Sequence, residues 1–171
     1  VKLEEQCNQQ WLAVPIDWMG RDMKVFLDTE VFLLALLSAE GDYRSLMSEG
    51  LGLELAMSDQ VFSEILDVIR RSQVLRRELP SISSISLPDI FNAFNVEITR
   101  IPPSMTLNIC KDPADNKYLA SAMYLECDFL LTEVADLLAL ETNQKFGDFR
   151  AANGVKCRII SPTAFLAEVR A

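Results

Sequence analysis

Histidine is absent from the 171 residues. That removes the side chain most often used as a general base near neutral pH, and the commonest nitrogen ligand of transition metals. Chemistry in this chain must fall to carboxylates, hydroxyls, lysine or a hard, oxygen-bound cation such as Mg²⁺ or Mn²⁺. Cysteine is sparse and scattered. Cys7, Cys110, Cys127 and Cys157 lie too far apart for a zinc knuckle or a redox pair, and are expected to be buried, reduced thiols. Long apolar runs are missing too. The longest, 31–37, is far short of the ~20 residues that span a bilayer, so no membrane partner is expected. The opening residues Val1-Lys2-Leu3-Glu4-Glu5 are acidic and lead into no apolar core, unlike a signal peptide; a soluble, cytoplasmic protein is expected. Glycine is rare, and Gly50-Leu51-Gly52 is no phosphate loop, since it precedes a strand pattern and no Gly-Lys-Ser follows. Basic residues are the minority charge: the net charge of −9 repels nucleic acid at long range and argues against a dedicated DNA-binding protein. It leaves room for an enzyme whose acids gather around cations, or for a partner with a basic segment.

What is present is an alternation of strand and helix patterns, with length for one domain and a substantial core. Met23-Lys24-Val25-Phe26-Leu27 suits a buried strand, and Asp28-Thr29-Glu30 opens an apolar helix over 31–38. A second helix is predicted over 43–49, a strand over 53–57, and a helix over 60–71 started by Ser58-Asp59. Residues 75–94 read as two short helices split by a loop at 80–86. The segment 96–98 is a third strand, 115–125 an amphipathic helix, 128–132 a fourth strand and 135–140 a short helix. A turn at Asn153-Gly154 precedes a fifth strand over 157–160, and Ser161-Pro162 starts the last helix. Strands joined through helices imply a parallel sheet covered on both faces, with sites beyond the C-terminal strand ends. Residues 1–22, which carry Trp11 and Trp18 but no clear period, stand outside this alternation. The expected organisation is an N-terminal extension at 1–22, or a stretch upstream of a start at Met23, followed by one domain at 23–171.

Several acids fall at the predicted strand ends. Asp28 closes the first strand, where a helix cap is the alternative role. Glu64 lies in the helix 60–71, where a solvated side chain is the alternative. Asp112 and Asp115 sit in Lys111-Asp112-Pro113-Ala114-Asp115-Asn116-Lys117, where turn and cap duties would also suit them. Carboxylates converging at one sheet edge repel unless cations bind them, and such a cation can activate water against a phosphodiester without any histidine. Arg70 and Arg71, with Arg76 and Arg77, cluster after the Glu64 helix, and Lys111 and Lys117 flank the third acid. These are candidates for contacting RNA, although cations also suit helix C-termini.

The ordered set of segments resembles the PIN-domain family. Val25-Phe26-Leu27-Asp28-Thr29 is similar to its opening strand, and Ser63-Glu64-Ile65-Leu66 to its second acidic motif. Asp112-Pro113-Ala114-Asp115-Asn116-Lys117-Tyr118-Leu119-Ala120 is similar to its third, and Cys127-Asp128-Phe129-Leu130-Leu131-Thr132 to the strand before its fourth. Ile159-Ile160-Ser161-Pro162-Thr163-Ala164-Phe165-Leu166 looks like the tail of a toxin-related branch. The resemblance implies a three-layer α/β/α fold with a central parallel sheet of about five strands. It implies a Mg²⁺- or Mn²⁺-dependent endoribonuclease acting on RNA, paired with a cognate antitoxin protein, and is compatible with a homodimer. The implied metal ligands are Asp28, Glu64 and Asp115, with Asp112 close by. Asp136, Glu133 or Glu30 would complete the shell, and Thr29 and Thr132 would supply hydroxyls. Two departures stand out: the family's fourth acid falls on Val134, and its usual Asn after the first acid is Glu30. A catalytically degenerate PIN-like binding or regulatory module is the alternative reading.

Overall fold

The first strand, β1 (Met23–Leu27), forms where a short apolar run meets an acid. Val25, Phe26 and Leu27 are all buried, so both faces of the strand are covered and the apolar residues need not alternate. In the computed structural model, which describes residues 23–38, 40–47, 51–78, 92, 96–102 and 107–170, β1 is the centre of a five-stranded parallel sheet. Around it the chain forms α1 (Thr29–Leu37), α2 (Asp42–Ser45), β2 (Leu53–Ser58), α3 (Asp59–Arg71), α4 (Gln73–Glu78) and β3 (Glu97–Thr99). A 3-10 turn, Pro113–Asp115, leads into α5 (Asn116–Tyr124) and β4 (Phe129–Leu131). Then come α6 (Ala135–Leu138), a second 3-10 turn at Ala139–Thr142, α7 (Gln144–Asn153), β5 (Arg158–Ile160) and α8 (Pro162–Val169).

The strand order is β3-β2-β1-β4-β5. The chain builds outward from β1 to β2 and β3, then returns to the other side of β1 for β4 and β5. The gap between β1 and β4 is therefore the point where the order reverses, and beyond its C-terminal end open α/β sheets form their clefts. Phe26 pairs with Leu130, and Leu27 with Leu131. The ladder runs one step further, with Asp28 N–H donating to Leu131 O at 3.1 Å and Thr132 N–H to Ile160 O at 3.2 Å. Asp28 and Thr132 are thereby set side by side at the reversal.

This is the three-layer α/β/α architecture expected from the sequence, with helices on both faces of the sheet. Phe129 and Phe165 meet edge to face at 4.9 Å and tie α8 to β4. Boundaries shift modestly: α2 is shorter than the helix expected over 43–49, and the last part of that stretch lies outside the described residues. The proposed extension at 1–22 and most of the expected helices over 75–94 also lie outside them; α4 is the described part of the latter.

One helix has no counterpart among the expectations. α7 spans residues where only the turn Asn153-Gly154 was predicted. Both ends carry local signals: the Asn143 side chain accepts from Phe146 N–H at 3.2 Å, and Gly154 takes the left-handed φ of 65° that ends a helix. The helix shows no apolar stripe because Phe146 is its buried residue, and Arg150 instead pins it by bonding Glu141 at 3.0 Å. Glu141 in turn accepts from Ile159 N–H at 2.9 Å, so polar contacts join α7 to the edge strand β5 alongside the apolar anchor of Phe146.

Leu130 sits fully buried on β4 between β1 and β5. Leu130→Ala is expected to lower stability by about 2–5 kcal/mol through lost burial and a residual cavity. A urea titration checks it; a loss under about 1 kcal/mol would mean that the sheet centre can collapse around the gap.

Candidate active site

Asp28 is almost wholly buried, and both of its carboxylate oxygens are occupied. Oδ1 accepts from Val31 N–H at 2.7 Å and caps α1, while Oδ2 accepts a short hydrogen bond from the Thr132 hydroxyl. The Thr132 oxygen also accepts from Val134 N–H at 3.0 Å, which fixes the direction of its own proton toward Asp28. Burial raises the Asp28 pKa above the usual carboxylate range, with Glu30 adding to the rise; the bonds from Thr132 and Val31 oppose it. The cap role and the site role, which the sequence left as alternatives, are compatible, because the carboxylate faces a cavity as well as the helix end.

That cavity, of about 400 Å³, is lined by Asp28, Thr29, Glu30, Glu64, Asp115 and Tyr118 on its polar side, and by Leu33, Leu34, Leu37, Val68 and Val134 on its apolar side. Three acids from separate stretches of sequence thus meet at the strand-order reversal. Glu64 is the most heavily bonded of them. Thr29 Oγ1 donates to its Oε2 at 2.7 Å, the Tyr118 hydroxyl lies 2.9 Å from the same oxygen, and Lys117 Nζ stands 3.0 Å from Oε1. Desolvation pushes the Glu64 pKa up, but the bonds from Thr29, Lys117 and Tyr118, with the Lys117 charge, outweigh it and leave the carboxyl below its ordinary value. The Tyr118 hydroxyl is held well above its usual pKa by burial and by Glu64, so it remains a donor. Behind these contacts, Ser121 donates to Ser58 at 2.9 Å, both side chains being buried, and this links α5 to the start of α3.

Asp112 and Asp115 divide the duties that the sequence left open. Asp112 is a cap: its side chain accepts from Ala114 N–H at 2.8 Å and starts the 3-10 turn. Asp115 stands at the join between that turn and α5 and makes no side-chain capping bond. Among the described residues its carboxylate has no ion-pair partner, and it projects into the cavity wall. Desolvation raises its pKa, Asp112 raises it further, Lys117 opposes this, and Asp136 and Glu64 add to the rise. Asn116, also buried, keeps the segment in place by accepting from Ile109 N–H at 2.8 Å and Cys110 N–H at 3.0 Å.

Other candidates are placed differently. Glu30 lines the cavity from the first turn of α1. Asp136 does not; it is exposed and pairs with Lys111 at 3.4 Å, so Lys111 is neutralised by an acid that the sequence had counted as a ligand. Glu133 accepts from the Tyr43 hydroxyl at 2.8 Å, and the Tyr43 pKa is pushed up to about 12 by burial and by Glu133. Arg70 and Arg71 lie at the end of α3, both exposed and both near Asp67, at 3.9 and 3.7 Å. Arg71, not Arg70, lines a second cavity with Gln60, Ser63, Glu64, Asp67, Val68 and Lys117. Cys110, Cys127 and Cys157 are buried free thiols, as expected; Cys7 lies outside the described residues. Tyr118 and the apolar wall of Leu33, Leu34 and Leu37 were not anticipated as site residues. Tyr118 could have been found from its position three residues after Asp115, on the same helical side.

The donor chemistry fits a hard divalent cation: carboxylates at one cavity, two of them with raised pKa values. Among the described residues no three acidic or thiol side chains close on a single point. A hard divalent cation can be held by as few as one or two carboxylates when it keeps several waters.

Comparison with known proteins agrees with the fold. Residues 24–133 match the family model described as PIN domain. The chain is 26% identical over 153 residues to an uncharacterized protein of Methanocaldococcus jannaschii, covering 85% of this chain and 91% of that protein. Among solved structures it is similar to VapBC2 from Rickettsia felis bound to a DNA fragment from their promoter. That match has a TM-score of 0.50 at 16% identity, over 81% of this chain and 98% of the other, and speaks to the fold alone.

The raised pKa of Asp115 has a consequence for stability. A carboxyl with a folded pKa above its unfolded value favours the fold at low pH, and that contribution is lost as pH rises through the folded value. At pH 7, in a chelator, Asp115→Asn is therefore expected to melt higher than the wild type, by on the order of 1 °C. The difference should vanish near pH 4, about where an ordinary carboxyl is half protonated. Thermal melts at the two pH values test this, and a lower melting temperature for Asp115→Asn at pH 7 would show that the carboxylate is anchored after all.

Proposed function

The chain belongs to the PIN-domain family, and from that membership we propose that it is a metal-dependent endoribonuclease whose cation is held by Asp28 and Asp115, with Glu64 beside them. The observation that carries this reading is the meeting of these three acids at one cavity, with the Asp115 carboxylate in no cap and, among the described residues, in no ion pair. A divalent cation there would acidify a coordinated water and offset charge developing on a phosphodiester.

The chain's own groups have separable duties in that reading. Thr132 and Val31 N–H fix the Asp28 carboxylate in position from two sides. Thr29 and Tyr118 orient Glu64. Leu33, Leu34, Leu37 and Val134 form a wall that limits water on one side of the acids and strengthens their electrostatic action. Arg71 and Lys117 line the adjoining cavity; Arg71 is exposed and is the better candidate to meet an RNA backbone, since Lys117 is paired with Glu64. Lys111 and Arg70 are less well placed, since neither lines either cavity.

The sequence resemblance to the toxin-related branch supports a cognate antitoxin as protein partner, and the likeness in fold to VapBC2 is consistent with it. The half-exposed Leu37 at the cavity rim offers such a partner apolar surface. Among the described residues no helix is long and apolar enough to cross a membrane. The domain proper is proposed to be 23–171, since β1 begins at Met23 and supplies the sheet centre.

Val134 lines the cavity where the family resemblance places a fourth acid, which favours weak, Mn²⁺-dependent activity in the wild type. Cleavage of a structured RNA panel with Mn²⁺ tests this. Asp28→Asn keeps the α1 cap, since Asn caps helices as well as Asp, yet should cut the rate by at least roughly 10–100-fold. Val134→Asp should raise the rate by adding a carboxylate to the cavity. If wild type and Val134→Asp cleave no faster than Asp28→Asn, the nuclease reading fails and a non-catalytic binding module takes its place.

A further inference from the structure

The local sequence gives no reason for a lysine at 117. It is the second residue of α5, where the positive end of the helix dipole disfavours a cation. Its partner supplies the reason. Lys117 Nζ stands 3.0 Å from Glu64 Oε1, with about three-quarters of the Lys117 side chain and two-thirds of the Glu64 side chain removed from solvent. The ammonium also lies over the ring of its neighbour Tyr118, 4.7 Å from the centroid, which gives it a second electrostatic anchor.

Glu64 differs from Asp28 in the charge of its donors: those of Asp28 are a neutral hydroxyl and a backbone N–H, while one of those on Glu64 is an ammonium. Oε1 faces the ammonium, and Oε2 is met by the Thr29 hydroxyl at 2.7 Å and the Tyr118 hydroxyl at 2.9 Å. A divalent ion at Glu64 would either stand beside the Lys117 ammonium, which repels it, or displace that ammonium and leave it half-buried without its carboxylate. Asp115, by contrast, has no ion-pair partner among the described residues. The other position from which a further carboxylate would be expected, 134, is valine. Position 134 is thus closed by an apolar side chain and Glu64 by a resident cation, which leaves Glu30 as the one other acid lining this cavity beside Asp28 and Asp115 among the described residues.

We propose that Lys117 is a built-in counter-ion that withholds Glu64 from metal binding and so restricts this site to a single divalent ion. This rests on the metal-site reading above. Lys117 acts through Glu64 and is a positioning residue. Because it belongs to the second cavity while Glu64 belongs to both, its charge stands at the seam between them.

The test is Mn²⁺ binding to the full chain near neutral pH, by calorimetry for stoichiometry and by electron paramagnetic resonance for coupled manganese pairs. The wild type should take up one ion per chain with no pair signal. Lys117→Met should take up two and show the coupled signal. Lys117→Arg, which keeps the charge, should return to one, and Lys117→Met combined with Glu64→Gln should also return to one, because the released carboxylate is gone. Lys117→Met leaves Glu64 without its partner and could fold poorly, so Glu64→Gln alone provides an independent check. It should bind one ion within about threefold of wild-type affinity, and a loss of roughly tenfold or more would make Glu64 a ligand and overturn the proposal. Two ions in the wild type, or one in a folded Lys117→Met, would overturn it as well. Those results are distinct from failure of the metal site itself, which would appear as no binding by any chain or as undiminished binding by Asp28→Asn, and which would remove the proposal along with it.

Discussion

The buried carboxylate of Asp28 joins the fold to the site. One oxygen closes the first turn of α1, and the other receives the Thr132 hydroxyl from the end of the neighbouring strand. A carboxylate almost removed from water is tolerated only when such donors meet it, and here they come from the helix that leaves β1 and from the strand that returns beside it. The strand order β3-β2-β1-β4-β5 makes this meeting unavoidable, since β1 and β4 are neighbours although 104 positions separate Asp28 from Thr132. Substituting the pair would disturb a helix end, a strand end and the cavity together.

Around that anchor the molecule balances like charges in three ways. Glu64 is compensated within the chain, by an ammonium and two hydroxyls. Asp136 is compensated from the loop, by Lys111. Asp115 has no ion-pair partner among the described residues, and its pKa is raised by burial and by Asp112, with Lys117 opposing. An acid kept at some expense to the fold, next to a cavity, is a recognised mark of a functional position. The apolar wall opposite weakens solvent screening and makes the imbalance larger.

Much of the site could be read from the chain because its acids sit at element boundaries. Asp28 follows a run of apolar residues, and Asp115 precedes the Tyr118-Leu119-Ala120 turn of a helix; both transitions leave local marks in composition. Glu64 was harder, because a glutamate midway along an amphipathic helix looks like any solvated side chain until its neighbours are known. The helix α7 escaped notice for a related reason. It is held by one buried phenylalanine, Phe146, by the Arg150–Glu141 pair and by its caps, and so few apolar contacts leave no period.

The chain by itself determined the alternation of strand and helix, the absence of imidazole chemistry, and the acids available at strand ends, because burial patterns and capping preferences act over a few residues. It could not say which acids would remain free. Asp136 and Asp115 are equally acidic in sequence, yet one is paired with a lysine 25 positions away and the other with nothing described. Nor could it show that Lys117 faces Glu64 rather than solvent, 53 positions distant. Electrostatic partnership depends on distances of a few ångströms across different elements, and those distances exist only once the sheet has brought α3 and α5 together.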